Sequence, residues 1–351
     1  MRIFTDFTGG NVHVLEQTGD VVRIEPELRD TMGVWFYWAF AVEGAAGRTL
    51  TFDMAPLKWV GPWGPAVSFD LVHWRWLGGG NHSRFTYTFP SDEPVYFAHD
   101  LLYHPDRFFR LAERLNLPVQ TLCTSERGRK VPCVRLGEGS PAVLLSARHH
   151  CCEATGSYVL EGVLETLTKT PLPGSVLVVP FVDYDGVLDG DQGKNRAPHD
   201  HNRDYIDAPI YASIREIKKD AVVRGLQYAF DFHSPWHRGG MNDCAFVVRS
   251  SGEMLKCQQA FGQKLELLLT PDALRYRTAH DLDPETDWNK SAHMKGCLRG
   301  FMSTLPEMKL ALTLETTYYG EPDNIVTQEN LVAFGRCVGR AIYQTVTECS
   351  Q

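Results

Sequence analysis

Four short, almost unbroken apolar runs constrain this chain more than any other feature: AVLLSA (142–147), SVLVVPFVD (175–183), LQYAFDFH (226–233) and LALTLET (310–316). Between them lie segments of helical period, such as EATGSYVLEGVLETL (153–167). Strands without a polar side belong to a sheet covered by helices on both faces. The last helix is the most explicit: Thr327 caps it, Glu329 sits in its first turn, and Leu331, Phe334, Val338 and Ile342 form its apolar stripe. Functional side chains in such a fold gather where the buried strands end, on loops held by a rigid sheet beside a crevice.

The first hundred residues have a different texture. WFYWAFAVEG, RTLTFDM, PAVSFDLVHWRW, SRFTYTFP and EPVYFAHD are aromatic and β-branched runs, broken by GPWGP and LGGGN, which is the spacing of an antiparallel sandwich. Helical spacing first appears in PDRFFRLAERL (105–115), through Phe108, Leu111 and Leu115. We therefore expect a β-sandwich over 1–105, a linking helix over 106–117 and an α/β domain over 118–351. A chain of 351 residues fits two domains better than one.

A net charge of −8 with no basic run excludes an unaided nucleic-acid or acidic-membrane surface. The N-terminus lacks a charged leader followed by an apolar core, and no segment reaches the roughly 18 apolar residues of a membrane span. The expectation is a cytoplasmic protein. Nine cysteines, an odd number without framework spacing, point to reduced thiols.

Titratable residues stand where the apolar runs end. Arg148-His149-His150-Cys151-Cys152-Glu153 follows AVLLSA, Asp183-Tyr184-Asp185-Gly186 follows SVLVVPFV, His233 closes LQYAFDF, and Glu315 lies in LALTLETT. A buried polar group without a partner costs about 1–3 kcal/mol, and a metal ion is one such partner. Adjacent Cys151 and Cys152 point in divergent directions and make a poor ligand pair. His150 and Glu153, three apart across a strand-to-helix turn, can converge on one ion. His149 and Glu153 would suit a helical face, but the strand immediately before makes a turn the better reading. A catalytic zinc site needs a third protein ligand, and His233 is the best offer, with His237 placed on the rim after a proline. Alone, His233 reads as a core histidine satisfied by the backbone; beside His150 and Glu153 it reads as a ligand.

H-x-x-E after a strand, D-x-H-S at a strand end and a strand glutamate near the C-terminus together resemble the M14-type zinc carboxypeptidases. ARHHCCE resembles the ARVHPGE segment of the cytosolic carboxypeptidase subfamily, and WFYWAF, FTYTFP and VYFA resemble that subfamily's leading β-sandwich. The resemblance implies an α/β protein: an N-terminal antiparallel β-sandwich, then a zinc-carboxypeptidase-like domain with a mixed, largely buried sheet flanked by helices. It implies one Zn²⁺ per chain on His150, Glu153 and His233. Glu315 becomes the general base, a carboxylate beside the ion that takes a proton from attacking water; an ordinary strand glutamate is the plainer reading. Asn202 and Arg203 match the pair that grips the substrate's terminal carboxylate, a task suited to a guanidinium fork.

Arg196 is the candidate for steadying the oxyanion. Here the chain departs from the subfamily, which carries an arginine where this sequence has Gly193, with Lys194 and Arg196 downstream. His199, Asp200 and His201 read as bracing residues. Arg299, in GCLRGF, lies where the subfamily has a basic residue for the terminal side chain and would favour an acidic one; an arginine on a solvated turn is the alternative. Tyr318 and Tyr319 follow the base and either cover substrate or pack on the surface. The expected activity is hydrolysis of C-terminal amide bonds, with a peptide or protein C-terminus as substrate and an acidic preference. The alternatives are a zinc amidase or deacylase acting on small N-acyl amino acids, and a catalytically silent binding module.

Overall fold

The computed structural model describes residues 1–79 and 81–348, the side chain of His293 excepted, so the last three residues of the expected α/β domain lie outside the described part. Nine strands fill the N-terminal region: β1 Arg2–Phe4, β2 His13–Thr18, β3 Val21–Glu25, β4 Ala39–Glu43, β5 Thr49–Asp53, β6 Ala66–Ser68, β7 Arg75–Trp76, β8 Arg84–Thr88 and β9 Val95–Ala98. They form a five-stranded sheet, β1-β4-β9-β6-β7, and a four-stranded sheet, β2-β3-β5-β8. Every pairing is antiparallel except that of β3 with β5.

The two sheets enclose a core of Ile24, Phe40, Phe52, Phe85 and Phe97, in which Phe52 lies 4.9 Å from Phe40 and 5.0 Å from Phe85. Ring pairs at such spacing stabilise a core beyond their buried area. The opposite face of β4 is not solvated. Ala39 joins Tyr37, Ala98 and Leu101 in a core shared with the rest of the chain, among them Val143, Val159 and Phe230. Covered on both sides, the WFYWAFAV run is continuous where a half-exposed strand would alternate.

Helix α1 (Pro105–Arg114), capped by His104, leads into a seven-stranded mixed sheet. Its strands are β10 Val119–Thr124, β11 Lys130–Gly137, β12 Ala142–Ala147, β13 Ser175–Val179, β14 Leu226–His233, β15 Phe246–Val248 and β16 Leu310–Glu315, in the order β10-β11-β13-β12-β14-β16-β15. The central four, β13, β12, β14 and β16, are parallel, and the flanking pairings are antiparallel.

Six further helices cover it: α2 Thr155–Lys169, α3 Tyr184–Asp189, α4 Ala212–Val223, α5 Glu253–Leu268, α6 Leu298–Met302 and α7 Gln328–Glu348. Alternation along β12 assigns the faces. Val143 and Leu145 pack with α2, α5 and α7, whereas Ala142 and Leu144 pack with α4 and α6. None of the described helices is long and apolar enough to cross a membrane.

Several expected boundaries move: the linking helix expected over 106–117 spans Pro105–Arg114, and the strand expected over 310–316 ends at Glu315. The strand predicted over 175–183 ends at Val179, because Pro180 has no N–H to continue the ladder. Beyond the proline the chain still follows the end of β12, with Val182 N donating to Ala147 O and Asp183 N to Arg148 O. The helix predicted from Glu153 begins at Thr155, which leaves Glu153 in the turn.

Candidate metal centre

The parallel strands deliver their last residues to one edge of the sheet. Ala147 of β12 pairs with Phe232 of β14, and His233 pairs with Glu315 of β16. After Ala147 the backbone reverses through Arg148, which has a left-handed φ of 64° and whose guanidinium Nε bonds Cys151 O at 2.7 Å. Glu153 N donates to His150 O, so both side chains of this turn face the end of β14. Helix α2 can approach that closely because Gly156 has no side chain: a Cβ there would lie 2.8 Å from Phe232 O.

The ligand atoms of His150, Glu153 and His233 all lie within 4.8 Å of one another, and the three residues are buried. His150 Nδ1 is 2.9 Å from Glu153 Oε1, and His233 Nδ1 is 2.6 Å from Oε2. The opposite ring nitrogens face carboxylates too: His233 Nε2 lies 2.8 Å from Asp231 Oδ2, and His150 Nε2 lies 3.5 Å from Asp200 Oδ1. A proton held on His233 Nε2 by Asp231 would leave its Nδ1 lone pair for an ion at the centre, the usual support of a metal-ligating histidine. Two imidazole nitrogens and a carboxylate also match the donor preferences of zinc. The residues therefore fit the expected ion.

The electrostatics agree. Burial alone would raise the Glu153 carboxyl, yet Lys194, His150 and His233 hold it well below the carboxylate range. Burial would lower His233, but Asp231 and Glu153 raise it well above an ordinary histidine. The Lys194 ammonium stands 2.5 Å from Glu153 Oε1, a positive charge at the position that a cation would share.

His149 and His150 diverge as a turn requires. His149 is fully buried, its Nδ1 2.9 Å from Asp231 Oδ1 and its Nε2 2.7 Å from Tyr205 Oη. His149, Asp231 and His233 also lie close enough to be a ligand set. In that set, however, Asp231 is occupied by both rings and by the Ser146 hydroxyl at 2.8 Å.

Beside the triad opens a cavity of about 330 Å³, lined by Glu315, Lys194, Asn202, Arg203 and Arg299 among others. Glu315 is buried, its Oε2 has no hydrogen-bond partner, and burial pushes its carboxyl up to about 7. Arg203 is exposed, and Asn202 Oδ1 accepts from Leu298 N. Arg299 is 7% exposed and donates to Ser250 Oγ at 2.7 Å and Asn289 Oδ1 at 3.0 Å. No carboxylate pairs with it among the described residues. Burial holds Arg299 below an ordinary arginine. Trp35, from the N-terminal region, and Trp236 and Trp288 complete the wall.

Other residues singled out in the sequence lie elsewhere. Arg196 faces Asp30, Asp183 and Asp191 and does not line the cavity. Tyr318 and Tyr319 are fully buried with Phe36, because the turn after β16 meets the aromatic N-terminal region instead of solvent. His237, expected on a rim, is 2% exposed and bonds His99 Nε2 at 3.2 Å. His199 braces Asp204 at 2.6 Å. Sequence reasoning missed Asp231, although a residue two before a ligand on the same strand shares its face. For Lys194 the signal was its place one residue after Gly193, where the resembled subfamily carries an arginine.

With this geometry in view, the comparisons with known proteins are specific. The chain superposes on the crystal structure of a metallo-carboxypeptidase from Burkholderia cenocepacia with a TM-score of 0.82, at 18% identity and over 99% of both chains. It therefore has the metallo-carboxypeptidase fold. In sequence it is 26% identical over 260 residues to an uncharacterized protein of Zymomonas mobilis, covering 66% of this chain and 67% of that protein. Human cytosolic carboxypeptidase 2 is 31% identical over 146 residues, 34% of this chain but only 16% of that protein, a partial homologue. No protein-family model matches the chain.

Proposed function

We propose that this protein is a zinc-dependent metallocarboxypeptidase of the cytoplasm that removes C-terminal residues, preferably acidic ones, from peptides or proteins. The observation that carries the reading is the convergence of His150, Glu153 and His233, with an aspartate behind each imidazole and the unpartnered Glu315 carboxylate in register beside His233. When bound there, zinc would supply Lewis-acid chemistry, polarising a carbonyl and acidifying water.

The chain's own residues do the rest. Glu315 takes a proton from the attacking water and returns it to the departing amine, a task favoured by a carboxyl that titrates near neutrality. Asn202 and Arg203, at the cavity wall, hold the substrate's free carboxylate. Arg299, buried with no carboxylate in direct ion-pair contact among the described residues and with Glu315 acting on it only through space, prefers a terminal side chain that brings a negative charge. Trp35, Trp236 and Trp288 narrow the mouth and limit water around the reacting bond.

A ladder of peptides differing only at the C-terminal residue, assayed beside N-acyl amino acids, tests this. Release of terminal residues supports the proposal. Acyl release alone would make the protein an amidase or deacylase, and no turnover of either class by zinc-loaded protein would leave a binding module.

A further inference from the structure

The cavity raises a question about charge: which residue meets the negative oxygen that forms when water adds to the scissile carbonyl? Position 193 cannot supply a long cation. Gly193 has a φ of +72°, and a Cβ on it would lie 2.5 Å from Cys151 N and 2.6 Å from Cys151 Sγ. Arg196 cannot supply it either. Its Nε, Nη1 and Nη2 lie 2.9, 2.8 and 3.1 Å from carboxylates of Asp30, Asp183 and Asp191. A guanidinium so enclosed would leave buried carboxylates uncompensated if it moved.

Lys194 lies between these two. Its side chain lines the cavity with His150, His233 and Glu315, and its ammonium stands beside Glu153 and 5.4 Å from the Trp35 ring. The loop around it is held from the other domain. Asp30 accepts from Gln192 N at 2.9 Å, Gly193 N at 2.8 Å and Arg196 Nε at 2.9 Å. The Gln192 side chain bonds both backbone groups of Tyr37, and Met32 N donates to Asn195 O.

Resting on the carboxypeptidase reading above, we propose that Lys194 is a catalytic residue that stabilises the oxyanion, and that the N-terminal sandwich positions it by clamping residues 191–196. With a divalent ion held by Glu153, the Lys194 ammonium would be repelled from that carboxylate, toward the cavity it already lines. In the addition step the water oxygen bonds to the carbonyl carbon, one water proton passes to Glu315, and the carbonyl π pair moves to oxygen. Lys194 donates a hydrogen bond to that oxygen and keeps its proton. In the collapse step C=O re-forms, the C–N bond breaks and the amine takes the proton from Glu315.

The test compares zinc-loaded wild type with Lys194→Met and Lys194→Arg. It reads zinc per chain, kcat and KM, and the affinity by calorimetry for a peptide phosphonate, a tetrahedral anion resembling the addition intermediate. Lys194→Met should keep its zinc and a KM within a few-fold, lose about 10²–10³ in kcat, and bind the phosphonate weaker by a similar factor. Lys194→Arg should recover part of both. Chelator competition should show tighter zinc in Lys194→Met, since the competing charge on Glu153 is gone. Unchanged kcat and phosphonate affinity in zinc-replete Lys194→Met would overturn the inference, as would loss of zinc from that variant. The readouts separate its failure from that of the functional reading. Wild type that binds the phosphonate through Lys194 without releasing terminal residues refutes the functional reading and leaves Lys194 only as the group that binds a tetrahedral anion.

Discussion

Replacing Arg299 by methionine removes a buried charge while keeping an unbranched side chain in the cavity wall. The guanidinium gives donors to Ser250 and Asn289 and has no carboxylate partner among the described residues. Its remaining donors are therefore available to an anionic side chain. A hydrogen bond to a charged group contributes about 1.5–3 kcal/mol, or roughly 10–150-fold in kcat/KM at about 1.4 kcal/mol per tenfold. Wild type should therefore prefer a C-terminal glutamate over glutamine by that factor in competition assays with otherwise identical peptides. Arg299→Met should bring the ratio close to one and leave release of an apolar terminal residue within a few-fold. A second effect accompanies this, because Ser250 and Asn289 lose a donor in a buried place, at a cost to stability of about 1–3 kcal/mol, measurable by urea unfolding. An unchanged glutamate-to-glutamine ratio in folded, zinc-loaded Arg299→Met would refute the assignment of this pocket.

The remaining predictions concern the groups around the centre. Glu315→Gln should retain zinc while turnover falls by at least about 10²-fold, the scale of a general base, as stopped assays with metal analysis would show. In metal-free protein, burial raises Glu315 from 4.5 to about 7, so its stabilising contribution is complete below pH 4.5 and is lost as pH rises through 7. Glu315→Gln lacks this loss, and urea melts should show wild type falling behind it by up to about 3 kcal/mol between pH 5 and 8. Asp231→Asn should weaken zinc about 10–100-fold in chelator competition, because Asp231 holds the outer nitrogen of His233. Amidating the peptide C-terminus should abolish cleavage, and Arg203→Ala should raise KM with little change in kcat, since a lost ground-state anchor acts on binding.

Much of the fold is legible because burial writes itself into composition. AVLLSA and LQYAFDFH coincide with β12 and β14, since strands covered on both faces have no polar positions to blur their ends. The triad was legible for a related reason: a polar residue ending such a strand needs a partner, and His150, Glu153 and His233 are brought together. What escaped depends on contacts between distant segments. Tyr318 and Tyr319 look like lid residues until Phe36, nearly three hundred positions earlier, is found packed against them. Arg196 looks like a free cation until Asp30 of the N-terminal region is found beside it. Lys194 and Arg196 are equal candidates downstream of Gly193 until the contacts that enclose one and leave the other at the cavity are seen. Sequence periodicity reports whether a position is buried but not which remote residue buries it.

The central claim is a single ion held by side chains from one turn and one strand end. Metal analysis of protein purified without added zinc, beside His150→Ala and His233→Ala prepared identically, addresses it most directly. The account predicts about one zinc per wild-type chain and almost none in either variant. Full occupancy in His150→Ala, or a wild type that binds no zinc even after dialysis against excess, would contradict it.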